Sequence, residues 1–292
     1  MPKLDNEHQY CIICGHDELI PLERYKSAHL CQCLRCNLIF SDLKPSSQEI
    51  ETLQKQIKWK DHITEDAYRR YTHILDRFEH FRKNNRILDL DCSHGEFLEM
   101  AKERGWEVYG TADTKEALEI CRAKGLEMYA GALQTEVFQD EYFDIVCVRN
   151  VLEHITNPNE ELTKINRIIR SGGLAYVTTP NFNSYLRYRL KEKYSIISYP
   201  LRLVYYTRGP LKRLFRQNGF KVLETESTGV SISKRKIIRA RTKVPITEES
   251  DFIEWEENGK ESKYSRFQRR NLSPIFSFFG IGDFLKGWFT KP

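Results

Sequence analysis

Residues Arg86 to Phe97, Arg-Ile-Leu-Asp-Leu-Asp-Cys-Ser-His-Gly-Glu-Phe, run an apolar strand straight into a tight acidic loop that opens a helix. In a doubly wound sheet this junction is where a nucleotide-like cofactor binds, at the carboxyl ends of the strands. Few architectures accommodate such a stretch unless further strands lie parallel to it and helices cover both faces. The text that follows supplies them. Arg86 to Leu90, Trp106 to Gly110, Phe143 to Val148, Leu174 to Thr178 and Lys221 to Thr225 read as strands. Gly95 to Arg104, Lys115 to Lys124, Asn159 to Arg170 and Pro210 to Asn218 read as the helices between them, with a turn at Gly172-Gly173. Alternation of this kind predicts an α/β fold with a mostly parallel sheet. Asp283 to Lys291 reads as a last strand.

Ahead of this domain, Cys11-Ile-Ile-Cys14-Gly15 and Cys33-Leu-Arg-Cys36-Asn37 form two Cys-x-x-Cys knuckles, each followed by a residue that tolerates a left-handed turn. Four thiolates match the tetrahedral preference of zinc, and a closed four-sulfur shell leaves no position for water activation. The spacing therefore predicts a structural zinc ribbon over residues 1–44, with Cys31 as a spare. Five of the eight cysteines lie in the first 36 residues and the other three, Cys92, Cys121 and Cys147, are scattered. This is metal-site usage in a reducing compartment rather than a disulfide framework. Residues 45–85 read as a helical cap, with Leu53, Ile57, Tyr68, Tyr71, Ile74, Leu75, Phe78 and Phe81 at mostly helical intervals. His62, His73 and His80 in that segment are assigned no role.

The 292 residues, 40% apolar, suffice for one α/β core and one small accessory module. No stretch approaches the roughly 18 to 20 apolar residues of a membrane span, and the first residues lack the order of a signal peptide, so a cytoplasmic protein is expected. The net charge of +5 hides a division. Tyr185 to Lys243 holds sixteen Lys or Arg against three Glu, while Glu248 to Glu261 holds seven acids and one lysine. These segments either face one another or stay solvated, or the basic one receives an anionic substrate. Residues 230–282 break the alternation and read as an irregular or lid-like insertion within 86–292.

The Arg86 to Phe97 segment resembles the first motif of class I S-adenosylmethionine (SAM)-dependent methyltransferases, hydrophobic-Leu-Asp-hydrophobic-Gly-Cys-Gly-x-Gly. Phe143-Asp144-Ile145-Val146 followed by Asn150-Val151-Leu152-Glu153-His154-Ile155-Thr156-Asn157-Pro158 resembles the fourth-strand motif of zinc-ribbon-bearing and ubiquinone-biosynthesis-type methyltransferases. Ser171-Gly172-Gly173, Thr179-Pro180-Asn181 and Asn218-Gly219-Phe220 extend the likeness. The resemblance implies a Rossmann-like sheet of seven strands, the last antiparallel, with SAM as cofactor.

By that resemblance Asp89 holds the amino group of SAM, and the loop through Asp91, Cys92, Ser93 and Gly95 comes close to its methionyl part, Gly95 giving the backbone room. Asp91 and Ser93 stand where the family has its first two glycines. The acid that grips both ribose hydroxyls falls on Ala112, leaving Asp113 to serve if the strand has ended before it. Asn150 completes the cofactor set. Glu153 and His154 are the candidate catalytic pair, with His154 able to take a proton from an acceptor hydroxyl, or else a structural pair. Arg202, where family members carry a histidine, is a candidate anion binder.

The leading reading is a SAM-dependent methyltransferase acting on a small-molecule or glycan-type acceptor, such as a nucleotide-linked sugar or polysaccharide precursor. A second is a degenerate relative that serves as a binding or scaffold protein. A third, an RNA methyltransferase, lacks the Asn-Pro-Pro-Tyr-type motif after the fourth strand, so nucleic acid is not the expected partner.

Overall fold

The computed structural model describes residues 6–46, 48–49, 65–229 and 275–292. The expected helical positions Leu53 and Ile57, His62, the acidic run and most of the 230–282 insertion lie outside the described residues.

Three short strands open the chain: β1 (Leu19–Pro21), β2 (Leu30–Cys33) and β3 (Ile39–Ser41), paired antiparallel. Helix α1 (Glu65–Phe78) leads into the main sheet, made of β4 (Arg86–Leu90), β5 (Glu107–Ala112), β6 (Glu127–Ala130), β7 (Phe143–Arg149) and β8 (Ile169–Pro180). Helices α2 (Glu96–Glu103), α3 (Lys115–Ala123) and α4 (Pro158–Ile168) connect them. The chain then passes through α5 (Tyr185–Leu190), β9 (Val204–Tyr205), α6 (Arg208–Gln217) and β10 (Lys221–Thr228), and closes with β11 (Phe284–Thr290). The order is β10-β11-β8-β7-β4-β5-β6, with β11 antiparallel to both neighbours and the remaining pairs parallel. This is the expected seven-stranded, Rossmann-like arrangement.

Local chemistry sets the element boundaries. Thr114, Asn157 and Ser184 cap α3, α4 and α5 by accepting from the N–H of Ala117, Glu160 and Arg187, and Pro158 takes the first turn of α4, where no N–H partner is needed. All of β7 but its last residue is buried, as befits a central parallel strand. Asp144, fully buried within it, accepts backbone N–H groups from Lys83 (3.1 Å), Asn84 (3.0 Å), Asn85 (2.6 Å) and Arg86 (3.3 Å), and pairs with Arg170. It thereby pins the entry to β4 against the middle of the sheet.

Three boundaries differ from the sequence reading. Gly172-Gly173 is no turn but an irregularity inside the twelve-residue β8, where the register against β7 shifts between Phe143 and Ile145. A Cβ on Gly173 would come within 2.8 Å of the Asp144 carbonyl oxygen and 2.9 Å of that of Arg170, so the backbone there crosses too closely for a side chain. The strands β6 and β9 were not expected; with four and two residues they carry too little periodic text to register.

The sequence division into a ribbon and a main domain does not separate them in space. β9 pairs with β3, making the ribbon a four-stranded sheet, and Asn181 at the end of β8 bridges to Tyr206. Ile13, Leu38 and Phe40 of the ribbon share one core with Leu88, Val146, Leu152 and Tyr206. The other face of the main sheet packs α1, α2 and α3 around Phe78, Phe97, Leu98 and Trp288.

Candidate active site and metal centre

The carboxyl ends of β4, β5, β7 and β8 converge on the loop that follows β4. Asp91, Ser93 and Gly95 adopt φ of +48°, +56° and +79°, so the loop keeps a glycine-type path at the two positions where glycine is replaced. The left-handed conformation costs a side-chain-bearing residue roughly 1–2 kcal/mol, and hydrogen bonds hold it in place. The Asp91 N–H donates to Thr111 Oγ1 (2.9 Å), and the Cys92 N–H donates to the Thr111 carbonyl (3.0 Å). Cys92 turns its thiol into the core beside Met128, so only its backbone faces the loop. Gly95 is needed for packing: an added Cβ would lie 2.5 Å from Leu126 Cδ1 and 2.9 Å from Cys121 Sγ. Its missing side chain lets α2 seat against α3.

β5 ends at Ala112, which is buried, and Asp113 lies in the exposed bend beyond it. The condition for Asp113 to reach the cleft is therefore met. Asn150 also has positive φ (+54°), and its N–H donates to the Thr178 carbonyl at the mouth of β8.

Asp89 is fully buried and paired. Arg149, the last residue of β7, forks onto it with Nη2 to Oδ2 at 2.6 Å and Nε to Oδ1 at 3.2 Å. The guanidinium also lies against Phe97 (4.6 Å to the ring centroid) and Tyr71 of α1 (5.1 Å). Parallel pairing sets Asp89 beside Cys147 and Leu90 beside Val148, which leaves Arg149 one residue past the end of β4, within reach of the acid. A basic residue at that offset from a buried acid is the signal that could have revealed the pair.

On the far rim, the His154 ring hydrogen-bonds the Leu201 carbonyl through Nδ1. A proton on Nδ1 leaves the lone pair of the neutral imidazole on Nε2. Desolvation, the largest effect, holds the His154 pKa below its ordinary value, although 39% of the side chain remains accessible. Glu153 and Asp113 pull it upward and Arg202 pushes it down. Glu153 is buried; its Oε2 accepts from Thr179 Oγ1 (2.9 Å), and its Oε1, with no hydrogen-bond partner among the described residues, stands 4.0 Å from His154 Nε2.

The four sulfurs of Cys11, Cys14, Cys33 and Cys36 lie within 4.8 Å of one another, with Cys11 to Cys36 at 3.5 Å and Cys14 to Cys33 at 3.6 Å. A tetrahedron with zinc–sulfur bonds of about 2.3 Å has edges of about 3.8 Å, so the donor set fits zinc. Gly15 (φ +67°) and Asn37 (φ +59°) make the left-handed turns after the knuckles. Contact between Cys11 and Cys36 lowers the thiol pKa of the first and raises that of the second, and a metal binds the deprotonated form of both. Cys31, buried, stays outside the cluster. Asn159 of α4 and Gln217 of α6 donate to the Ile13 carbonyl (2.9 and 2.8 Å), tying the first knuckle to the main domain.

The sheet order and the acidic loop after β4 together define a methyltransferase-type Rossmann fold. A family model described as a methyltransferase domain matches residues 63–225, more than half of the chain, and the chain belongs to that family. The ubiquinone biosynthesis O-methyltransferase of Alkalilimnicola ehrlichii is 32% identical over 113 residues, 36% of this chain and 46% of that protein. That of Aeromonas salmonicida is 30% identical over 105 residues, 34% of this chain and 44% of that protein. The chain thus spans about half the length of these relatives. Among solved structures, a SAM-dependent methyltransferase from Archaeoglobus fulgidus superposes with a TM-score of 0.50 at 17% identity, covering 76% of this chain and 94% of that one. The cyclase SpnF superposes with 0.54 at 16% identity, covering 85% and 97%. These likenesses establish the fold; a cyclase among them shows that the fold alone does not fix the chemistry.

No helix among the described residues is long and apolar enough to cross a membrane.

Proposed function

We propose that the protein is a SAM-dependent methyltransferase that methylates a hydroxyl of a small-molecule or glycan-type acceptor. The observation that carries this reading is the His154 ring, fixed through Nδ1 on the Leu201 carbonyl so that Nε2 is left as a proton acceptor beside the cleft. The family match supports methyl transfer, and the relatives named as O-methyltransferases support an oxygen acceptor.

In this reading Asp113 holds the ribose diol, the backbone of Asp91 to Gly95 and Asn150 line the cofactor, and Asp89 faces its amino-acid end. The adenosyl side of the cleft fits that assignment, since Asp113 stands beyond the strand end. At the amino-acid end, Asp89 already holds Arg149. SAM, when bound, supplies a methyl group on a positively charged sulfur, reactive enough that the protein's main contribution is positioning. His154 Nε2 takes the acceptor's hydroxyl proton, and its lowered pKa keeps the ring neutral and ready at pH 7. The buried Glu153 carboxylate stabilises the imidazolium that results, and Thr179 orients Glu153. Arg202 is buried, 2% exposed, and adds its positive charge beside this pair from within the protein rather than from an open surface. Zinc bound by Cys11, Cys14, Cys33 and Cys36 is structural.

The test is release of S-adenosylhomocysteine (SAH) from SAM with a panel of nucleotide sugars and small hydroxylated acceptors. An acceptor-dependent rate that falls by about a hundredfold or more in His154→Gln is expected. An equal rate in the variant rejects His154 as base, and no turnover with any acceptor favours the scaffold reading. That second reading has one observation in its favour, the Arg149 guanidinium on Asp89.

A further inference from the structure

We propose that Arg149 determines which ligands the cofactor cleft accepts, by holding Asp89 in place of the ammonium of an amino-acid-bearing adenosyl ligand. The inference rests on the methyl-transfer reading of the cleft, which assigns that ammonium to Asp89.

Arg149 engages both carboxylate oxygens, so a second cation finds no equivalent face of Asp89 to occupy. The pair is enclosed: Asp89 is fully buried and the Arg149 side chain is 10% exposed. Tyr71 and Phe97 lie against the guanidinium and contact each other edge to face, their ring centroids 5.2 Å apart. The cavity beside the pair, bounded by Arg70, Tyr71, Arg149, Asn150 and Thr178, measures about 10 Å³, room for about one water molecule. A methionine-like group does not fit there while Arg149 stays. The Arg149 side chain, together with Arg70 and Tyr71 of α1 that close the cavity, must move for it to enter.

Binding of an adenosyl amino acid is therefore coupled to displacement of Arg149, and its apparent affinity is reduced by the fraction of molecules in which Asp89 is free. A ligand with the adenosyl group but no amino acid does not compete for Asp89. Arg149 thus lowers the advantage that SAM or SAH would otherwise have over such a truncated ligand.

The test is calorimetric titration of the zinc-loaded full chain with SAH and with 5′-methylthioadenosine, which keeps the adenosine and a neutral sulfur but lacks the amino acid. The wild type is compared with Arg149→Met, which keeps the length and removes the charge, and with Arg149→Lys, which keeps the charge and guards against loss of folding. The expected result is at least a tenfold gain in SAH affinity in Arg149→Met, about 1.4 kcal/mol, with 5′-methylthioadenosine unchanged and a smaller gain in Arg149→Lys. An unchanged or weakened SAH affinity in Arg149→Met, with 5′-methylthioadenosine still bound, overturns the role of Arg149 and leaves the methyl-transfer reading standing. Equal gains in both variants overturn it as well, because charge is then not the cause. Failure of both ligands with all three proteins removes the adenosyl site itself, and the proposal with it.

Discussion

Phe40→Ala is expected to unfold the whole chain more easily, although Phe40 belongs to the ribbon. Its side chain is fully buried, and it packs in the core that also contains Leu88, Val146, Leu152 and Tyr206 of the main domain. Its strand also carries the pairing with Val204. Truncating a buried phenylalanine costs about 3–5 kcal/mol, because the void is only partly refilled. If ribbon and main domain share one core, that cost falls on a single transition. Guanidinium unfolding would be followed by tryptophan fluorescence, to which Trp106 and Trp288, buried in the opposite layer, contribute, and by zinc captured with a chromophoric chelator. The expected result is coincidence of the two signals in wild type and variant, with both midpoints lowered together and the slope unchanged. Zinc release that moves to lower denaturant while the fluorescence transition stays in place would show two independent units and refute the reasoning.

Other consequences are directly measurable. Burial pushes the Asp144 carboxyl up, but hydrogen bonds from Asn84, Arg170, Lys83 and Arg86 outweigh it and hold its pKa below the ordinary value. A depressed carboxylate adds stability above its unfolded value of about 3.9 that is lost as pH falls through the folded one, so unfolding free energy should drop below about pH 4. Asp144→Asn should lose that slope and, by breaking the ion pair made by a fully buried carboxylate with the largely enclosed Arg170 (12% exposed), about 3–5 kcal/mol at pH 7. The lowered His154 pKa places the acid limb of kcat/KM below pH 6.5; an inflection at or above 6.5 would contradict it. Gly95→Ala combines a positive φ with contact on Leu126 and Cys121, and should cost about 1–3 kcal/mol in thermal or denaturant unfolding. Cys33→Ser should reduce bound zinc, read by atomic absorption, well below one ion per chain.

Much of this molecule is legible from residue text because its signals are local. The buried β7 with its apolar run Ile145 to Val148, the strand and loop at Arg86 to Phe97 and the two cysteine knuckles each declare themselves within a dozen residues. What escapes is contact between distant segments. Arg149 and Asp89 are sixty residues apart and meet only through parallel register. The link from ribbon to the Glu153–His154 rim is likewise nonlocal: the Ser41 N–H donates to the Leu203 carbonyl (2.7 Å), and the Leu203 N–H donates to the Glu153 carbonyl (2.8 Å). Gly95 and Gly173 could be recognised as important, but which neighbour forbids a side chain is a property of packing. Asp91 and Ser93 read as departures from a glycine pattern, yet Thr111 on the neighbouring strand β5, twenty residues from Asp91, supports the same backbone path.

We propose the carboxyl edge of the sheet as an adenosyl site with Asp113 on the ribose. Titrating SAH into zinc-loaded wild type and Asp113→Ala tests it most directly. Losing a charged acceptor costs roughly 1.5–3 kcal/mol, and each 1.4 kcal/mol is about tenfold. The account predicts saturable binding by the wild type, weakened at least tenfold in the variant. No binding by the wild type, or equal affinity in the two proteins, would contradict it.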